Sequence, residues 1–205
     1  MRKMVFLVVM CVLVSSTTCY AFNNEVSFHA YYLFPKMDEI DFVFGVEGQG
    51  RVWLNPNVGL AIAVGASTLE VDDSIHIEDY FLYKFDGSAS LISFGPSLLV
   101  RPLPENNPVE LTLEGGIRYV IVNSDIDFHG EDLFYYYFDE VDLDNALVGI
   151  LGIEIGFPIS DWTRITSSFG YQFDVDKGEV EIGDIDMGDT ELKGYFVRLG
   201  VSTKF

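Results

Sequence analysis

The chain has two cysteines, Cys11 and Cys19, and both fall within its first 21 residues. Beyond them there is no thiol to form a disulfide, attack a substrate or hold a metal. Basic residues are also scarce. Twelve Lys and Arg stand against 32 Asp and Glu, a formal net charge of −20, so no basic face for nucleic acid can be assembled. After Ala21 no stretch approaches the roughly 20 apolar residues of a membrane helix. No phosphate-binding glycine loop, metal triad or cofactor signature occurs, and neither a cofactor nor a metal is expected. What the chain does hold is apolar: 49% of its residues are hydrophobic, and Gly (19), Phe (17) and Tyr (11) are frequent, a composition that suits strands rather than helices.

The first residues read as a secretory signal. Arg2 and Lys3 precede an apolar run from Val5 to Val14, then small and polar residues to Ala21, the three regions of a cleavable export peptide. Ten apolar residues make about 15 Å of helix against a hydrocarbon core of about 30 Å, too short for an anchor. Ser16, Thr17 and Thr18 ahead of Cys19 make a poor lipoprotein site. The expected division is a signal peptide over 1–21 and one domain over 22–205.

In that domain apolar and polar residues alternate through eight segments. Val26, Phe28, Ala30, Tyr32 and Phe34 oppose Glu25, Ser27, His29, Tyr31 and Leu33; Val109, Leu111, Leu113, Ile117, Tyr119 and Ile121 oppose Glu110, Thr112, Glu114, Gly116 and Arg118. A period of two over such lengths predicts strands. The apolar side is large throughout, whereas the other is rich in Gly, Ser and Thr with isolated Glu and Arg. That contrast points to a lipid-facing barrel with a polar lumen; a soluble barrel or sandwich, and a ten-stranded barrel recruiting Asp79 to Asp86 and part of the third long connection, are the alternatives. Short connections at Asn55 to Asn57, Pro102 to Asn107 and Pro158 to Asp161 alternate with long ones at Pro35 to Ile40, Glu70 to Asp86, Asn123 to Asp144 and Asp174 to Glu191. This places short turns and long loops on opposite rims. Pro96 lies within the fourth segment, where its missing N–H must face a bulge or go unpaired.

The closing pattern Tyr195, Val197, Leu199, Val201, Phe205, together with Gly45 to Asn57 and Gly59-Leu60-Ala61, resembles the eight-stranded outer-membrane β-barrel family, with its OmpA-like and OmpX-like barrel domains. The resemblance covers roughly Asn23 to Phe205. It implies an all-β, eight-stranded antiparallel transmembrane barrel with short periplasmic turns and long acidic extracellular loops, in the outer membrane of a bacterium with two membranes. Outer-membrane lipid and the barrel assembly machinery are the implied partners, with Phe205 as the assembly signal.

Charge divides along the same lines. Of the 32 acidic residues, 25 lie in the four long connections and their mouths. Glu47, Arg51, Arg101, Glu110, Glu114, Arg118, Glu154, Arg164 and Arg198 fall instead on the polar side of strands. Counting from the short turns sets Arg101 opposite Glu110, and Glu154 about opposite Arg164. An eight-strand interior is only wide enough for side chains or one small ligand, so these charges are expected to form a salt-bridge plug rather than an ion path. Specific function is then expected in the long loops, where Tyr80, Phe81, Tyr83, Phe134, Tyr135, Tyr136, Tyr137 and Phe138 mix with acid. Either they extend the aromatic girdle or they form a contact surface for an extracellular macromolecule. Asp184, Asp186 and Asp189 lack the spacing of a calcium loop. A lipid enzyme would need His29, His76 or His129 beside a Ser or carboxylate; Ser27 shares a face with His29 at about 6.6 Å, and Ser202 is the cross-strand candidate. The expectation is a monomeric, non-enzymatic barrel with a structural or surface-contact role. A channel for small hydrophobic solutes is the runner-up, which a lateral gap between strands would favour.

Overall fold

A computed structural model describes residues 23–35, 42–77, 81–103, 107–131, 136–182, 185–190 and 192–205. At 23, 42, 70–77, 81–86, 124–131, 136–142, 179–182 and 185–190 it describes the backbone alone. The expected signal peptide lies outside the described residues, as do Tyr80, Phe134, Tyr135 and Asp184. The chain forms β1 (Asn23–Pro35), β2 (Phe42–Trp53), β3 (Val58–Ile77), β4 (Phe81–Val100), β5 (Glu110–Glu131), β6 (Tyr136–Leu143), β7 (Ala146–Pro158), β8 (Thr163–Asp176), β9 (Gly178–Ile182), β10 (Ile185–Thr190) and β11 (Gly194–Lys204).

Eight of these close a barrel. β1 pairs with β2, and the ladder continues through β3, β4, β5, β7, β8 and β11 before β11 returns to β1, every step antiparallel. Closure removes the unpaired edges that a sheet in hydrocarbon could not tolerate. The ten-stranded alternative is thereby corrected: residues 81–86 lengthen β4 rather than adding a wall strand. Two of the short turns are fixed by the same device. Asn55 Oδ1 accepts the N–H groups of Asn57 (2.9 Å) and Val58 (2.8 Å), and Ser160 Oγ accepts those of Trp162 (3.3 Å) and Thr163 (3.0 Å).

The two faces of the wall are inverted relative to a soluble protein. Phe28 and Ile62 are each 68% exposed. Their neighbours Ser27 and Ala63 are fully buried, as are Arg51 and Arg198. An exterior this apolar would aggregate in water, so it is a lipid-facing belt and the soluble alternative falls.

The strands on one side run well past a bilayer. A transmembrane β-strand needs about 9–11 residues, yet β3 and β4 have 20 each and form one uninterrupted ladder from Val58↔Val100 to Ile77↔Phe81. The segments expected as loops after Glu70 and Asn123 are therefore mostly hairpin. In the sequence Leu69, Val71, Asp73, Ile75 and Ile77 still alternate with Glu70, Asp72, Ser74 and His76, a strand period obscured by acid. β5 changes partner as it rises: Glu110 to Val120 pair with β7, and Asp127 to Glu131 pair with β6. β6 then pairs with β9 and β9 with β10, so a sheet ordered β10-β9-β6-β5-β4-β3 stands above the barrel.

Pro96 leaves its mark as a skipped rung. The β4–β5 ladder stops at Phe94↔Tyr119 and resumes at Ser97↔Gly116 in the same register, because a proline has no N–H to donate. No residue is inserted, so the site is unpaired rather than bulged.

The inverted faces make a direct prediction. Leu113, 40% exposed on the outer face, and Thr112, 3% exposed in the lumen, respond oppositely to substitution. Leu113→Arg should lose about 2–4 kcal/mol of stability if it lies near the bilayer midplane, measured by folding into lipid vesicles, and Leu113→Phe should be tolerated. Thr112→Phe should be the damaging change on the lumen side, since no free volume is left for it.

Candidate functional site

The lumen is built in two storeys. The lower one is a continuous network of charge. At its base the Glu25 carboxylate is fully buried and receives Arg51 (3.2 Å), Arg101 (2.9 Å), the indole N–H of Trp53 (3.2 Å), Arg164 and the Ser202 hydroxyl. Glu110 takes Arg101 at 3.0 Å, Lys204 at 3.0 Å and Arg164. The Arg101 guanidinium also lies 3.5 Å from the centre of the Trp53 ring, a cation–π contact that closes the floor. One level up, Glu154 binds Arg51 in a fork, with 2.6 Å to each of two guanidinium nitrogens. At the top of this storey Glu114 accepts from Arg118 (3.0 Å), Gln49 (3.2 Å), Ser97 (2.8 Å) and Arg198 (2.5 Å), and Glu47 accepts from Gln49 (2.8 Å) and Arg198 (2.5 Å).

The structure thus gathers all nine charged residues singled out from the sequence into one lumen. Arg101 meets Glu110, but the Arg164–Glu154 pair is corrected. In the β7–β8 ladder Glu154 lies opposite Ser168 and Arg164 opposite Pro158. Arg164 instead reaches Glu25 and Glu110, and Glu154 takes Arg51. Counting residues out from a turn finds neighbours on adjacent strands; long side chains in a narrow barrel also cross it. Sequence reasoning singles out neither Glu25 nor Trp53. Glu25 is detectable in principle, because it shares the inward parity of Ser27 and His29.

His29 is 3% exposed, with Nε2 3.4 Å from Glu154 Oε2 and no hydrogen bond to a serine. Ser202 donates to Glu25 rather than to a histidine. The described residues therefore contain no histidine–serine pair on which an acyl-transfer mechanism could be written. The side chains of His76 and His129 are outside the described residues, as are those of Phe81, Tyr83, Tyr136, Tyr137, Phe138, Asp186 and Asp189. Among the described residues no group of three or more His, Cys, Asp or Glu is placed to hold a metal.

The upper storey is apolar, which the expectation of a polar lumen throughout does not include. Moving up each strand by two residues from the last charge gives Val120 above Arg118 and Phe196 above Arg198; on β1 and β2, Leu33 and Val43 hold the same level. These pack with Leu69, Leu91, Val148 and Ile150 into one buried cluster. Two glycines make room for the largest side chain. A Cβ on Gly170 would come within 2.4 Å of the Phe196 ring, and one on Gly152 within 3.1 Å. Leu192 closes the top, 3% exposed, its N–H bonded to Asp174 (2.9 Å) and its carbonyl to Gln172 (2.7 Å). At the junction of the storeys is a cavity of about 40 Å³ bordered by Tyr31, Leu91, Glu47, Arg118, Arg198 and Phe196 among others.

Arg118 also seals the skipped rung. Its Nη1 lies 2.9–3.3 Å from the carbonyls of Gly95, Pro96 and Ile117 and the Ser97 hydroxyl. The outer face of this seam carries a groove lined by Leu60, Pro96, Leu98, Gly115 and Ile117. Ser97 and Gly116 complete its lining.

The barrel is closed and inverted, with charge packed into the lower lumen, apolar side chains into the upper, and one cavity of about 40 Å³ between them. The fold is that of an eight-stranded outer-membrane β-barrel. The outer membrane protein OprG from Pseudomonas aeruginosa matches with a TM-score of 0.66 at 11% identity, over 90% of this chain and 96% of that one. A major outer membrane protein from Thermus thermophilus matches with a TM-score of 0.57 at 15% identity, over 91% of this chain and all of the other. No protein-family model and no curated protein sequence matches the chain. The apolar belt is the surface that such a barrel sets in outer-membrane lipid.

Two outcomes follow from the filled lumen. In planar bilayers the protein should show no steady ohmic conductance. Glu154→Ala should strip Arg51 of its fork and cost about 3–5 kcal/mol, as for other broken buried pairs, read by urea unfolding in micelles; Arg164, which does not touch Glu154, should keep its partners, so adding Arg164→Ala to Glu154→Ala should cost about as much as it does in the native chain.

Proposed function

We propose that this protein is a monomeric, non-enzymatic outer-membrane barrel, installed by the barrel assembly machinery, that presents an acidic β-sheet platform to a cationic macromolecule outside the cell. The supporting observation is the unbroken twenty-pair β3–β4 hairpin, half of which is surplus to crossing the membrane. Together with β5, β6, β9 and β10 it turns three of the long acidic connections into ordered sheet. Its sequence is dense in Asp and Glu, so attraction to a positive partner is long-ranged at low salt and screened at high salt. Replacing residues 72–86, whose ends Asp72 and Asp86 pair directly, by an Asn-Gly turn should leave assembly and heat resistance of the barrel intact. Binding of poly-L-lysine, measured at low and physiological salt, should weaken at least tenfold. Full retention would remove the platform as the contact surface.

The apolar upper storey and the skipped rung favour a second reading, in which a small hydrophobic solute occupies the chamber and leaves sideways into lipid at the β4–β5 seam. Leu98 and Gly115 face each other across that seam. A disulfide between Leu98→Cys and Gly115→Cys should then slow solute passage into liposomes without changing the fold, and reduction should restore it; equal rates in both states would count against a lateral exit.

A further inference from the structure

The junction between the storeys has a feature that neither a bare apolar chamber nor a salt-bridge plug requires. Glu47 Oε2 and Arg118 Nε lie 3.6 Å apart, close enough to attract but too far to hydrogen bond. Arg118 Nε is buried with no acceptor, and so is Arg198 Nε. Glu47 Oε1 is taken by Gln49 and Arg198, and its carboxyl is the more open partner, 10% exposed against 3% for Arg118. Both residues border the cavity. An oxygen about 2.7 Å from a carboxylate oxygen and about 2.9 Å from an N–H satisfies both at ordinary hydrogen-bond lengths, and a 3.6 Å gap is the third side of such a triangle.

The charge state of the guest follows from the surroundings. Glu47 and Glu114 already balance Arg118 and Arg198 at this level. A bound carboxylate or ammonium would add an uncompensated charge inside a water-poor lumen, which is strongly unfavourable. A hydroxyl adds none, and it can donate to Glu47 while accepting from Arg118. Above it most of the wall is apolar, with Leu33, Val43, Leu91, Val120, Val148 and Ile150; of the polar groups on its border, the Tyr31 hydroxyl is donated to Gln172 and the Gln172 amide to the Leu192 carbonyl, and Ser67 and Ser93 complete the lining. The cavity of about 40 Å³ takes the hydroxyl and its first carbons, and a longer body needs the Leu192 cap to lift from its two hydrogen bonds on β8.

We propose that the junction is a binding site for a small neutral alcohol or phenol, its hydroxyl bridging Glu47 Oε2 and Arg118 Nε and its apolar body rising among the upper-storey side chains. The proposal rests on reading the upper lumen as a solute chamber and adds the chemical class that the chamber selects. It is tested on the full-length protein in nanodiscs, with isotope-labelled Val, Leu and Ile methyl groups, by titrating toluene, benzyl alcohol, benzoate and benzylammonium. Benzyl alcohol should give saturable shifts of the Val120, Val148 and Ile150 methyls at concentrations at least tenfold below those needed for the two ions or for toluene. Val43→Phe, which narrows the chamber at a position whose cross-strand partners are Leu33 and Leu69, should abolish them, and Glu47→Gln should reduce the preference for the alcohol over toluene. Equal saturable binding of toluene and benzyl alcohol would overturn the hydroxyl bridge and keep the chamber. Preference for benzoate or benzylammonium would overturn the neutral-head assignment, and shifts confined to the lipid-facing Ile62 and Ile117 methyls would overturn both bridge and chamber.

Discussion

Charge cannot be left alone inside a barrel this narrow. An eight-strand interior has no bulk water to solvate a guanidinium, so each of Arg51, Arg101, Arg118, Arg164 and Arg198 must find carboxylates; Glu25, Glu47, Glu110 and Glu114 each serve two or more of them, and Glu154 takes Arg51 in a fork. Glu25 illustrates the constraint. It draws in residues from β2, β8 and β11, and Arg101 just past the end of β4, while sitting on β1, which fixes the relative height of five strands. Pairing alone does not make such a network more stable than a hydrophobic filling would be. It does penalise any register slip, because moving one strand by two residues would orphan several charges together.

The boundary with the upper storey follows from the same constraint. Where the ion pairs end, the remaining inward positions must either be hydrated or exclude water, and here they are Leu, Val, Ile and Phe. Arg118 stands at this boundary and serves three structures: the ion-pair network through Glu114, the β4–β5 seam through the carbonyls of Gly95, Pro96 and Ile117, and the cavity. The seam is therefore held by a side chain where other parts of the wall are held by backbone.

Much of this is legible in the sequence, and the limits have physical causes. Alternation marks the eight wall strands and both faces, because the inward set of each strand is separated from the outward set by a period of two. Pro96 marks the interrupted rung for the reason it interrupts, the missing N–H. The Arg101–Glu110 contact is legible because it is local to one short turn. The Arg164–Glu154 pairing fails because it considers neighbouring strands alone, whereas Arg51 approaches Glu154 from β2. The apolar chamber is present in the pattern but is obscured by expecting one polarity along the whole inward face. The hairpin ladders beyond Glu70 and Asn123 read as loops because acid residues suggest solvent, and solvent suggests irregular chain; strands that project into water satisfy both conditions.

β5 belongs to two sheets. From Val100↔Leu113 to Leu82↔Glu131 it follows β4 apart from the skipped rung, while its other edge passes from β7 to β6. Asn145, at the crossing point, accepts the Val122 N–H at 3.1 Å, so the exchange of partners leaves no free length of chain between wall and platform. The platform consequently inherits the tilt and handed twist of the barrel strands. It stands at a set angle and height above the bilayer, like a mast stepped into a hull, and anything that binds it is held at a distance from the lipid set by strand length.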